Sequence, residues 1–162
     1  METEETKQPR FVSNRPVRIL IFSVVAIIAC VVLAGLVVTI LKTSRNGPIG
    51  VDVYPGAQLI GKDNNQNDDF ALYSTQDSVQ QVLDFYTGRL PKDEDKVQGC
   101  QKIYTDNNPD TRELPGHYFG RCVVDNSQLD VSQQLMISIN YQVNDTTQKP
   151  ETRVQIQRHW GG

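Results

Sequence analysis

Asp77-Ser78-Val79-Gln80-Gln81-Val82-Leu83-Asp84-Phe85-Tyr86-Thr87-Gly88-Arg89-Leu90-Pro91 is the one stretch beyond residue 45 with a helical apolar period. Val79, Val82, Leu83, Tyr86 and Leu90 fall at i, i+3, i+4, i+7 and i+11, which places them on one face of a helix that Pro91 terminates. Asp77 or Ser78 stands at its start, and Gln81 three residues after Ser78 has capping-box spacing. A helix this short is stable only if its apolar face finds something to cover.

The flanking sequence supplies that surface. Val51 to Pro55 reads as extended, Pro55-Gly56 as a turn, Ala57 to Gly61 as a short strand, Lys62 to Asp69 as a polar loop and Phe70 to Ser74 as a strand. Beyond Pro91 the extended segments are Val97 to Tyr104, His117 to Asp125, Leu135 to Val143 and Thr152 to Trp160. Leu135, Ile137, Ile139, Tyr141 and Val143 alternate with Met136, Ser138, Asn140 and Gln142, so one face of that strand is apolar and the other mostly polar. Val154, Ile156 and Trp160 form a similar face, interrupted by Arg158. One-sided strands predict an antiparallel sheet with the helix on its apolar face, an α+β domain, and the last two strands predict a hairpin around Asn144 to Glu151. No internal repeat is visible.

The domain is preceded by Ile19 to Leu41, 23 residues without a charge, interrupted only by Ser23, Gly35 and Thr39. As a helix this covers roughly 34 Å, enough to cross a bilayer core of about 30 Å with some tilt. A cleaved signal peptide has a shorter apolar region. Ile27-Ile28-Ala29-Cys30 resembles a lipobox, but eleven uncharged, mostly apolar residues follow Cys30, where a lipoprotein turns polar. Lys7, Arg10, Arg15 and Arg18 precede the segment against Lys42 and Arg45 after it, which favours a cytoplasmic N-terminus. The expected organisation is a cytoplasmic tail over 1–18, a transmembrane helix over 19–41, a polar stalk over 42–50 and an exported α+β domain over 51–162. The chain is then a single-pass protein of the cell membrane, with the lipid bilayer as its first partner. Ala26, Cys30 and Ala34 recur every four residues, the small-residue spacing that permits close contact with another helix in lipid.

Cys100 and Cys122 are the two cysteines outside that segment, and in an oxidising compartment they are expected to form a disulfide; free buried thiols are the alternative in a reducing one. From Asn46 onward the chain carries 16 acidic and 10 basic residues, the latter scattered, a balance that disfavours nucleic acid as a partner.

Gly56-Ala57-Gln58-Leu59-Ile60-Gly61-Lys62 has phosphate-loop spacing, but Asp63 follows where magnesium coordination wants Ser or Thr, and no helix follows to face a phosphate, so no nucleotide is expected. Asp63, Asn65 and Asn67, and likewise Asp106, Asn108 and Asp110, have the alternate spacing of the first half of a calcium loop. Both lack its Gly and its bidentate Glu, so solvated turns are the expectation. His117 and His159 are too few and too far apart for a histidine-rich zinc site, and no complete motif for nucleophilic or metal catalysis is present. The expected catalytic, cofactor and metal residues are therefore none, and the expected function is non-enzymatic. Tyr54, Tyr86, Tyr118 and Trp160 are candidates for a recognition surface or for core, and Asn144-Asp145-Thr146 is a glycosylation sequon meaningful only in a eukaryotic host.

Tyr54-Pro55-Gly56-Ala57, Tyr73-Ser74-Thr75, and Asp77-Ser78 through Phe85-Tyr86 and Leu90 together resemble a pattern in uncharacterised bacterial membrane-anchored proteins, where a Tyr-Pro-Gly-Ala opening precedes a strand and a Val-x-x-Phe-Tyr helix. The resemblance covers about a quarter of the chain. It implies a bacterial source and a small exported α+β domain, and no activity. Two functions compete on these grounds: an accessory or interaction protein, as a subunit of a larger membrane complex, and an exported binding module for a small ligand or surface polymer.

Overall fold

The computed structural model describes residues 15–90 and 99–161. It divides into two compact units, one ending at Ile40 and the other running from Leu41 to Gly162. Helix α1 (Arg15–Arg45) contains the expected apolar segment, and from Ile19 it is long and apolar enough to cross a membrane. Its aliphatic residues surround it on every side and are exposed in this structure. Two hydroxyls inside its apolar segment bond back to the helix: Ser23 Oγ donates to the Ile19 carbonyl at 3.0 Å and Thr39 Oγ1 to that of Gly35 at 2.8 Å.

The second unit is α+β, as the alternation requires. Strands β1 (Gln58–Asn64), β2 (Asp68–Thr75), β3 (Gly99–Tyr104), β4 (Tyr118–Asp125), β5 (Ser132–Val143) and β6 (Pro150–Gly161) form one antiparallel sheet in the order β1-β2-β6-β5-β4-β3. The β5–β6 hairpin forms as expected. Helix α2 (Val79–Thr87) packs Val79, Val82, Leu83 and Tyr86 onto the face holding Cys122, Val124, Leu135, Ile137, Ile139, Val154 and Ile156. Ser78 is the N-cap, and both halves of its capping box with Gln81 are made.

Several boundaries differ from the sequence reading, and one interruption noted there gains a cause. Lys62 to Asp69 is not one polar loop: β1 continues through Asn64 and β2 begins at Asp68, because edge pairing tolerates Asp and Asn wherever their side chains face water. The helix ends at Thr87, capped by Gly88, whose amide donates to the Asp84 carbonyl at 3.1 Å; Pro91, expected to end it, lies outside the described residues, as do Val97 and Gln98. Residues 42–45 belong to α1, and the rest of the expected stalk is anchored: Gln133 Nε2 donates to the Gly47 carbonyl at 2.9 Å, while Ile49 and Val51 pack against the core. Finally, Arg158 interrupts the apolar face because it makes a two-pronged ion pair with Asp69, its cross-strand partner; Nε donates to Oδ1 at 2.7 Å and Nη2 to Oδ2. That pair fills the end of the helix-side face with a mutually neutralised charge.

Helix and sheet come closest at Gly120 of β4, where a Cβ would stand 2.9 Å from Leu83 Cδ1 and 3.2 Å from Ile139 Cδ1. Gly120→Ala is expected to cost about 1–3 kcal/mol by overpacking. Urea unfolding of the detergent-solubilised chain, followed by fluorescence of its single tryptophan, Trp160, measures the loss, and an unchanged midpoint refutes this packing.

Candidate functional site

Three polar clusters and one covalent bond organise the sheet domain. The first begins at Tyr54-Pro55-Gly56-Ala57, a β-turn in which the Ala57 amide donates to the Tyr54 carbonyl at 3.1 Å and Gly56 has φ +78°. Pro at the second position and a left-handed Gly at the third are what a type II turn requires. The turn points Tyr54 at α2: its hydroxyl donates to Asp77 Oδ2 at 2.8 Å, and its ring meets Phe85 edge-on at 5.2 Å. Phe85 in turn stacks edge-on against Tyr86 at 5.0 Å and lies under the Arg89 guanidinium at 3.8 Å. Burial, then the bond to Asp77, raises the pKa of the Tyr54 phenol. Residues Tyr54, Asp77, Phe85 and Tyr86 thus form one contiguous scaffold.

Glu151 is the second cluster. Its side chain is 6% exposed, yet it accepts from Ser74 Oγ at 3.0 Å, Asn144 Nδ2 at 2.9 Å and Arg153 Nε at 2.9 Å. Those donors, Asn144 first, hold its carboxyl below the usual glutamate range. The sequon residue Asn144 therefore has a structural task, since its amide nitrogen binds Glu151 while Oδ1 receives the Thr146 and Thr147 amides at 3.0 and 2.9 Å.

The third cluster lies on the β3–β4 hairpin. Lys102 Nζ bonds Glu113 Oε2 at 2.6 Å and sits 4.0 Å from the Tyr118 ring, while Tyr104 donates to the other Glu113 oxygen at 2.5 Å. The intervening loop is closed by His117 Nδ1 against Asp106 Oδ2 at 2.6 Å, and that contact holds the Asp106 carboxyl low. The hairpin is also bridged covalently: Cys100 and Cys122, opposite each other in the register, form the expected disulfide, with Cα atoms 3.9 Å apart.

The structure separates most of the sequence candidates. Gly56 to Lys62 runs from the turn into β1, so no phosphate loop forms. Asp106 and Asn108 receive the amides of Asn108 and Asp110, so the second calcium-like repeat is a pair of Asx turns, whereas Asp63 of the first lies in β1 and accepts from the adjacent Asn64 amide. Among the described residues no group of three His, Cys, Asp or Glu side chains is placed to hold a metal. His117 and His159 pair with different aspartates, Asp106 and Asp68. Tyr86 is core, Tyr54 braces α2, Tyr118 belongs to the β3–β4 hairpin and Trp160 to the end of β6, so the four aromatics do not share a surface. Ala26, Cys30 and Ala34 share α1 at the expected spacing.

Sequence reasoning did not single out Asp69 or Glu151, and it read Asp77 only as a possible cap and Arg158 only as an interruption of an apolar face. The available signals were Arg158 at an apolar strand position and Glu151 at the start of a strand; their partners come from segments too distant in sequence to be inferred. No protein-family model, curated protein or solved structure matches this chain.

Three measurements check these assignments. Among the described residues the Tyr86 hydroxyl is enclosed without a partner of ordinary hydrogen-bond geometry, and burial pushes its pKa up to about 12 against an opposing influence of the Tyr54 backbone. Tyr86→Phe is therefore expected to leave stability within about 1 kcal/mol of the parent or to raise it; a larger loss in urea melts reveals a hidden partner. Replacing both Cys100 and Cys122 by Ser opens a loop with a separation of 22 residues. That is expected to cost about 3 kcal/mol. Because the Glu151 carboxyl is depressed below its ordinary 4.5, its stabilisation is complete above that pH and fades as pH falls through the lower folded-state value. Glu151→Gln should be less stable than the parent at neutral pH, with the gap closing in acid; a pH-independent gap refutes the assignment.

Proposed function

We propose that the chain is a non-enzymatic, membrane-anchored interaction protein, an accessory or subunit of a larger membrane complex. Helix α1 is its single span, the N-terminus is cytoplasmic and the sheet domain stands outside. The observation that carries this reading is the coupling of an all-round aliphatic helix to a domain closed by a disulfide. An aliphatic surface of that length is stable in lipid, and a disulfide persists in an oxidising compartment. The four-to-two excess of Lys and Arg before the span supports the same direction. The Ala26, Cys30, Ala34 stripe supports a neighbouring helix in the bilayer. The polar clusters support a structural domain more than a reactive one, since Glu151, Asp69 and Asp106 are occupied by fixed partners.

Two experiments test it. Cysteines introduced as Thr6→Cys and Ser44→Cys report sidedness: a membrane-impermeant maleimide is expected to label position 44 in intact cells and position 6 only after lysis, and the reverse pattern overturns the orientation. Extraction in mild detergent followed by native sizing is expected to give an assembly well above the 18.2 kDa of the chain. Migration of the chain alone overturns the accessory role.

A further inference from the structure

From Leu41 onward the end of α1 belongs to the same compact unit as the sheet, and two of its side chains reach the connection between β4 and β5. Lys42 Nζ stands 3.9 Å from Asp130 Oδ2, and Arg45 Nη1 donates to the Asn126 carbonyl at 2.7 Å. Lys42 is the first charged residue after the apolar segment, and Arg45 lies three residues further on, about 4.5 Å along the helix axis. The tip of the connection therefore meets Lys42 while its base meets Arg45. It points back along the last turn of α1 toward Leu41, where the uncharged segment ends.

The connection is itself a small hairpin. Gln128 and Val131 exchange main-chain bonds at 3.1 and 3.0 Å, and the two residues between them, Leu129 and Asp130, have φ of 55° and 61°. Two left-handed residues in a two-residue loop are the signature of a type I′ turn, whose ordinary occupants are Asn, Asp and Gly. Asp130 suits the position; Leu129 does not, because a bulky side chain is strained in the left-handed region. Nothing inside the domain offsets that strain, since Leu129 is 42% exposed and lies outside the core cluster. A strained residue that serves no packing within the fold points to a task outside it.

We propose that the tip of this hairpin is a second membrane contact, with Leu129 inserted between headgroups and acyl chains beside the point where α1 leaves the bilayer. This rests on the reading of α1 as a span that ends at Leu41, and it adds a lipid-binding residue to the sheet domain. The chemistry of the tip fits that depth. Leu129 offers an aliphatic side chain to the acyl region, and Lys42 offsets the Asp130 carboxylate, which lipid phosphate would otherwise repel. Ser127 and Gln128, behind the tip, are exposed and polar, as headgroup depth requires. A second contact beside the exit point gives the sheet domain a footing on lipid that the span alone does not supply.

A diazirine amino acid at position 129 of the full chain, in its own membrane, tests the contact. Position 145 is the control: Asp145 is exposed in the loop at the other end of β5, a strand about 36 Å long. The expected result is a lipid adduct at 129 and none at 145. With the probe moved to position 128, Leu129→Asn should lower the lipid adduct by about tenfold, the shift in occupancy that burial of one leucine side chain is worth. Because Asn accepts the left-handed turn, the urea midpoint of this variant should not fall below that of the parent. No lipid adduct at 129, equal adducts at 129 and 145, an adduct at 129 with a protein or a second copy of this chain, a yield at 128 indifferent to Leu129→Asn, or a lowered midpoint in that variant each overturns the proposal. Alkaline carbonate extraction of the same membranes separates the two readings. A chain retained in the pellet without an adduct at 129 overturns the hairpin contact alone, whereas a chain released to the supernatant overturns the span.

Discussion

The sheet domain depends on β6. This strand forms ladders on both edges, from Asp68↔His159 to Thr75↔Thr152 with β2 and from Ser132↔Gly161 to Val143↔Pro150 with β5. Without it the β1–β2 hairpin would have no connection to the rest of the sheet, and neither set of strands would offer α2 a continuous apolar surface. The β2 ladder joins residues more than 75 positions apart, so its loop-closure entropy must be met before α2 can bury Val82 and Leu83. The supports placed along β6 suit that demand: Asp69 with Arg158 toward one end, and Glu151 with Ser74 and Asn144 toward the other. Thr152 adds a hydroxyl bond of 2.6 Å to the Asp77 carbonyl, tying the strand to the start of the helix.

Local order was legible because it is encoded locally. The spacing of Val79, Val82, Leu83 and Tyr86, the Ser78–Gln81 box, the alternation from Leu135 to Val143 and the final hairpin each need only a few neighbouring residues to be read. The insertion of β6 beside β2 was not legible, because a one-sided strand does not name its partner. The extent of β1 was obscured for a different reason. Lys62, Asp63 and Asn64 are poor strand formers whose extended state is imposed by pairing with Phe70 and Ala71. The sheet face turned away from α2 left one trace: Met136 is a large apolar residue on the side of β5 otherwise carrying Ser138, Asn140 and Gln142. Phe70 and Val123 joined it only once the register was known.

Tyr54-Pro55-Gly56-Ala57 and the residues from Asp77 to Tyr86 acquire a physical explanation. Pro55 and Gly56 set a turn, the turn aims Tyr54 at Asp77 and Phe85, and Asp77 precedes the cap of α2. Such a constellation keeps a short helix in place over a sheet, and its constraint is geometric. Residues of this kind report how a helix is seated and carry no information about chemistry.

The Cys100–Cys122 bond also changes what damage to the molecule means. Between the bonded strands lies a loop whose residues 107–110 and 112–116 are exposed. Exposed loops are where proteases cut. A cut there would divide the chain into two polypeptides, α1 with β1 to β3 in one and β4 to β6 in the other. The disulfide would keep them covalently joined across β3 and β4, and the ladders would remain paired. The nicked protein is thus a two-chain molecule, able to keep its shape after its backbone has been severed.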